Sequence, residues 1–204
     1  MHIRTPLFLA SLLLMPAALA ASTTDLSVKG LITPNACEPF ITNGGVIEHG
    51  KLSIQSLAGE QFTALAPQTL QVRVQCEGQT LFALSTIDNR PGTSALDDNL
   101  HGLGMVNGNE KLGSVAFALS NLTSDTGPVR TIVSIDGGLT WAPDWYLGHA
   151  ALTAVAALDG TVPIAVKTFD ASLGFHTSIA PANSLTLTDE IPLDGLATLQ
   201  VKYL

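Results

Sequence analysis

The stretch SIDGGLTW, Ser134 to Trp141, places a serine, a carboxylate, a threonine and a tryptophan around two glycines. Asp136 can accept several backbone N–H groups across a tight turn, and Gly138 can take the positive φ that such a turn needs. Trp141 can then cover the turn with its ring. Ser134, Asp136, Gly138, Thr140 and Trp141 therefore read as a fastened hairpin and not as a reacting group. The other chemistry-bearing residues are scattered. His49, His101, His149 and His176 form no H-x-H or H-E-x-x-H pattern. Asp97-Asp98 and Asp189-Glu190 are adjacent carboxylates, and neighbours on a strand face opposite sides, so neither pair is an acid–base couple. No G-x-S-x-G occurs, and HGLGMVNG misses the spacing of G-x-G-x-x-G. The expected inventory is no catalytic residue, no metal ligand and no cofactor.

SIDGGLTW also matches in full the Asp-box pattern known from sialidase propellers. A sialidase would need several boxes and an arginine cluster. Here there is one box, and beyond the first twenty residues the arginines are Arg73, Arg90 and Arg130. The chain is therefore not expected to be an enzyme. Its formal charge is −8, and Asp, Glu, Lys and Arg make up 13 % of it, well under the usual share of about 25 %. No basic cluster is present to hold a nucleic acid.

The elements that must position these residues read as strands. MHIRTPLFLASLLLMPAALA has a short positive start, an apolar run from Pro6 to Met15 and the small-x-small site Ala18-Leu19-Ala20. It reads as a secretory signal peptide over residues 1–20, which sends the chain out of the cytoplasm. Residues 21–204 read as a single domain. Cys37 and Cys76 are the two cysteines, and an even pair in an exported protein reads as a disulfide. LSVKGLIT alternates before Cys37. TLQVRVQC points Leu70, Val72 and Val74 one way and Gln71, Arg73 and Gln75 the other. Glu77-Gly78 is expected to turn it back into TLFALSTI as a hairpin. RTIVSI and LTWAP form a second hairpin around Asp136-Gly137-Gly138. VIEHGKLSI, SVAFALSNL, VPIAVKTFDASLGF, SLTLTD and ATLQVKYL complete nine or ten short strands, while WYLGHAALTAVAAL leaves a helical turn open. An all-β sandwich follows.

The order of these pieces resembles the pilin-type subunits of chaperone–usher systems in Gram-negative bacteria, and more narrowly an uncharacterised fimbrial-like periplasmic family. The pieces are the export segment, LSVKGLITPNAC, QTLQVRVQC, LFALSTIDNRPG, HGLGMVNGNEKLGSVAFALS, the SIDGGLTW hairpin and IPLDGLATLQVKYL, with Tyr203 next to the last residue. The resemblance implies an incomplete immunoglobulin-like sandwich lacking its last strand. Leu199, Val201 and Tyr203 would line the resulting groove, and the carboxylate of Leu204 would be held by a periplasmic pilus chaperone. An usher and neighbouring subunits would be the further partners, by β-augmentation. The expected location is the periplasm and the cell surface. Two features depart from that family's pattern. Ala21 to Asp25 is a short donor extension, and Ile191 stands where a glycine is common, the nearest being Gly195. The other expectation is a self-complete sandwich recognising a glycan or protein through loops near Asp88 to Gly104 or Trp141 to Tyr146.

Overall fold

The computed structural model describes Ser27 and residues 36–204. By internal contacts the chain divides into residues 1–32 and residues 33–204, and the account below concerns the second unit. The expected signal peptide, and the strand expected over LSVKGLIT, lie outside the described residues apart from Ser27.

Eight strands carry the architecture: β1 Cys37–Ile41, β2 Gln68–Thr80, β3 Phe82–Asp88, β4 Gly113–Ser124, β5 Gly127–Ser134, β6 Leu152–Ala157, β7 Val166–Ile179 and β8 Ala197–Tyr203. All their pairings are antiparallel, in the order β1-β2-β7-β4-β5-β6-β3-β8. β1, β2, β7 and β4 form one layer, and β5, β6, β3 and β8 the other. The β4–β5 hairpin joins them, with Ser124 opposite Gly127. This order runs from one layer into the other and back along it, so its two end strands, β1 and β8, meet at the opposite seam.

The alternation of TLQVRVQC holds: Val72, Val74 and Cys76 are buried and Gln71 and Arg73 exposed, with Leu70 and Gln75 half-buried. Val72, Val74 and Cys76 share one core with Phe82 and Leu84 of β3, Phe117 and Leu119 of β4, and Phe169 and Leu173 of β7. Burying each of these side chains contributes roughly 1.5–3 kcal/mol. The fold class is the expected all-β sandwich, and Cys37 is bonded to Cys76, which it faces directly across β1 and β2.

Three local expectations are corrected, and one open reading is resolved. First, β2 and β3 do not form a hairpin. β2 runs straight through Glu77-Gly78 to Thr80, and Gly78 does not adopt a positive φ. Both edges of β2 are already taken, by β1 and β7. After Leu81 the chain crosses to the other layer, where β3 is buried on both faces from Phe82 to Thr86. Second, SLTLTD is not a strand. Glu110 accepts the Thr186 N–H at 2.6 Å and its hydroxyl at 2.8 Å, which holds that segment as a loop. Third, VIEHGKLSI runs irregularly into a 3-10 turn at Ile54–Ser56, where Ser53 Oγ accepts the Gln55 N–H. The helical turn left open over Trp145 to Leu158 does not form. Tyr146–Leu147 pairs with β4, and β6 pairs with both β5 and β3. Sheet pairing on both sides outweighs the helix propensity of its alanines.

Candidate functional site

β8 is an edge strand. It pairs with β3 from Ala197 opposite Asp88 to Tyr203 opposite Phe82, and the Leu204 N–H continues the ladder to the Leu81 carbonyl at 3.1 Å. Its other edge carries no ladder among the described residues. Ala197, Leu199 and Val201 pack half-buried against the main core. The residues singled out from the sequence take different places here. The Tyr203 hydroxyl accepts the Cys37 N–H at 2.9 Å, so this end of the β1–β8 seam is closed. Toward Ala197 the seam opens into a cavity of about 380 Å³ lined by Ile41, Val46, Ile47, Leu193, Leu196 and Leu199. Val201 and Tyr203 do not line that cavity. Leu204 is half-exposed beyond the closed end. Gly195 sits on the open rim, where a Cβ would meet Leu103 Cδ2 at 2.8 Å.

The inner wall of this cavity holds a residue that sequence spacing did not single out. His101 is 1 % exposed and lies opposite Val115 of β4. One ring nitrogen, Nε2, lies 2.7 Å from the Thr86 hydroxyl. The ring is tilted against Phe117 at 4.6 Å and meets His149 edge-on at 5.0 Å between centroids. The Nδ1 atoms of His101 and His149 are both buried without a hydrogen-bond partner among the described residues. Burial, and then the neighbouring His149, pushes the His101 pKa down to about 4, while Asp88 opposes weakly. The two histidines stand far apart in the chain, and only the β4–β3 packing brings them together.

The SIDGGLTW hairpin forms as expected. Ala142 and Pro143 pair back onto Val133 and Ile132 of β5. Gly137 and Gly138 adopt φ of 78° and 95°. Asp136 accepts the N–H groups of Leu139 and Thr140 at 3.0 and 2.9 Å, and the hydroxyls of Ser134 and Thr140. These bonds, the Thr140 hydroxyl first, hold its carboxyl well below the usual carboxylate range. The Gly138 N–H donates to Ser134 Oγ at 2.8 Å, and Trp141 Nε1 donates to the Gly138 carbonyl at 3.1 Å. Every motif side chain is thus bonded within the turn. Asp136→Ala is expected to lower the melting temperature by a few degrees while the fold persists, as thermal unfolding followed by circular dichroism will read. An unchanged midpoint would show that the carboxylate does not fasten the turn.

The three arginines bond three different groups: Arg73 pairs with Asp170 at 2.6 Å, Arg90 forks onto Asp194, and Arg130 donates to the Leu158 carbonyl. Of the aromatic residues near the hairpin, Trp145 is 66 % exposed. Trp141 is half-buried, and Tyr146 donates its hydroxyl to the Asn99 carbonyl at 2.6 Å.

With this geometry in view, the chain can be set beside known proteins. The family model described as "Protein of unknown function (DUF1120)" matches residues 26–116. That span holds both cysteines and strands β1 to β3. Over it, this chain is similar to that family. Two Escherichia coli (strain K12) proteins are similar over nearly the whole length. "Uncharacterized protein YhcF" is 26% identical over 224 residues, covering 92% of this chain and 93% of the relative. "Protein GltF" is 24% identical over 233 residues, covering 92% of each.

Proposed function

We propose that this chain is a fimbrial-like structural subunit, exported to the periplasm and assembled by strand addition along β8. The observation that carries the reading is the seam between β1 and β8. Among the described residues, an edge strand with no ladder on its outer side borders an apolar cavity opening into the core. An unpaired edge of this kind invites another chain. An extended segment laid along β8 would satisfy its backbone groups and drop alternate apolar side chains beside Leu199. A periplasmic pilus chaperone would occupy the edge first, and a neighbouring subunit would replace it.

The test is to export the chain without a pilus chaperone and then with one. The reading expects aggregation or degradation without it, rescue with it, and a co-purified complex. A stable, cooperative monomer that captures no chaperone would overturn it. Val201→Ser with Tyr203→Ser is expected to weaken capture in a pull-down while export continues. Both changes remove apolar surface from the inward side of β8, Val201 beside the core and Tyr203 at the end of the strand. Unchanged capture by this double variant would count against β8 as the docking strand.

A second reading is favoured by one observation, the 66 % exposure of Trp145. In that reading the sandwich is a recognition module whose loops bind a glycan or a protein. Aromatic rings left in solvent at a loop are suited to such contacts.

A further inference from the structure

The inward residues of β8 belong to the seam, but its outward residues belong to a different hollow. We propose that this hollow, on the outer face of β8 and β3, binds a neutral sugar residue. The inference deepens the recognition-module reading and does not depend on strand addition. The basin has a volume of about 570 Å³, within the roughly 300–1,000 Å³ of ordinary ligand pockets. It lies where three separate pieces of chain meet: the outer face of the β3–β8 pair, the loop from Asp88 to Asp98, and the segment before β6 beside the SIDGGLTW turn.

The lining has the chemistry a polyol needs. Gln200 lies opposite Ser85 across the ladder, and Lys202 is two residues further along the same face. Neither the Gln200 amide nor the Lys202 ammonium makes a hydrogen bond or ion pair with any described residue, so both are unspent. Asp98 is free apart from a 3.6 Å approach by Lys111, with its side chain 90 % exposed. His149 completes the polar rim. A hydroxyl both donates and accepts, so a set holding a carboxylate, an amide, an ammonium and an imidazole can meet several ring hydroxyls at once. Ile87, 42 % exposed, offers an apolar patch for the C–H face of a pyranose. Gly92, Gly137 and Ala150 keep the walls low.

The charge pattern selects the ligand class. Among the described residues Lys202 is the basin's one lysine or arginine, against Asp88 and Asp98, so a phosphate or another anion is disfavoured. Asp88 is already occupied, accepting the N–H groups of Arg90 and Gly102. A neutral or acetamido sugar fits what remains.

The test is a titration of the 15N-labelled exported chain with millimolar methyl glycosides of glucose, galactose and N-acetylglucosamine, followed by amide shifts. At least one glycoside is expected to give saturable shifts at Ile87, Asp98, His149 and Gln200. Gln200→Ala with Lys202→Ala should weaken that binding about tenfold or more. Its melting temperature should not move, because neither side chain bonds a described residue. No saturable shift with any of the three would overturn the proposal. So would the same shifts with glycerol, or undiminished binding by the double variant. Shifts gathered at the Trp145 indole instead would overturn the basin while sparing the recognition-module reading. Chaperone capture by the double variant, measured in parallel, reports on strand addition separately.

Discussion

Replacing Cys37 and Cys76 together with serine lowers the stability of the sandwich by about 4 kcal/mol on the chain-entropy account of disulfides. The two residues lie 39 apart in the chain, and they face each other directly on the first ladder. The bond therefore closes a long loop in the unfolded chain, which is where most of its effect arises. It also does something local. Among the described residues β1 is an end strand, laddered to β2 through five residue pairs and touched at its start by Tyr203. Without the bond, β1 keeps its ladder with β2, the Tyr203 contact and the packing of Ile41 against the core. For a domain of this size the loss corresponds to a drop of roughly 10 °C in melting temperature. Scanning calorimetry of the wild type with and without reductant, beside the double serine variant, reads it directly. Equal midpoints in all three would show that the disulfide is dispensable to the fold.

Acidification from pH 6.5 to 4.5 is expected to destabilise the protein, with His101 as the main cause. Its folded pKa is about 4, against 6.5 for the free side chain. The unfolded chain therefore binds a proton more readily than the folded one between those values. Stability is complete above the unfolded pKa and falls as pH drops through the window. About 2 kcal/mol is lost by pH 5 and about 3 kcal/mol once both states are protonated. His49, also lowered by burial, adds in the same direction. Glu110, Asp125, Asp136 and Asp194 are lowered too, by hydrogen bonds to neighbouring groups and, for Asp194, by Arg90. For a carboxylate the loss comes below its ordinary range, so the histidine window stands apart. Urea unfolding at a series of pH values should show this slope, and His101→Gln should flatten it while keeping a hydrogen-bonding partner for Thr86. An equally steep slope in the variant would assign the acid sensitivity elsewhere. Because His101 lines the β1–β8 cavity, the same protonation would loosen the proposed docking seam.

The chain's own pattern determined the sandwich, because a period of two decides which face of a strand is buried whatever its neighbours are. Leu70, Val72 and Val74 could be placed on one face from TLQVRVQC alone, and Val72 and Val74 are buried there with Leu70 half-buried. The SIDGGLTW turn was legible for the same kind of reason: its bonds run between residues at most four apart, so local chemistry specifies it. The disulfide was legible from cysteine count and export context. Strand partnership was not, since a pattern names a strand's faces and not its neighbours. Glu77-Gly78 has turn residues, yet β2 continues through it because β1 and β7 already hold both its edges. SLTLTD alternates, yet Glu110, distant in sequence, holds it as a loop. The His101–His149 contact, the open end of the β1–β8 seam and the basin beyond Lys202 depend on residues that meet only when the two layers close. Those were decided by tertiary packing, because short-range propensity carries no information about which distant strand arrives alongside.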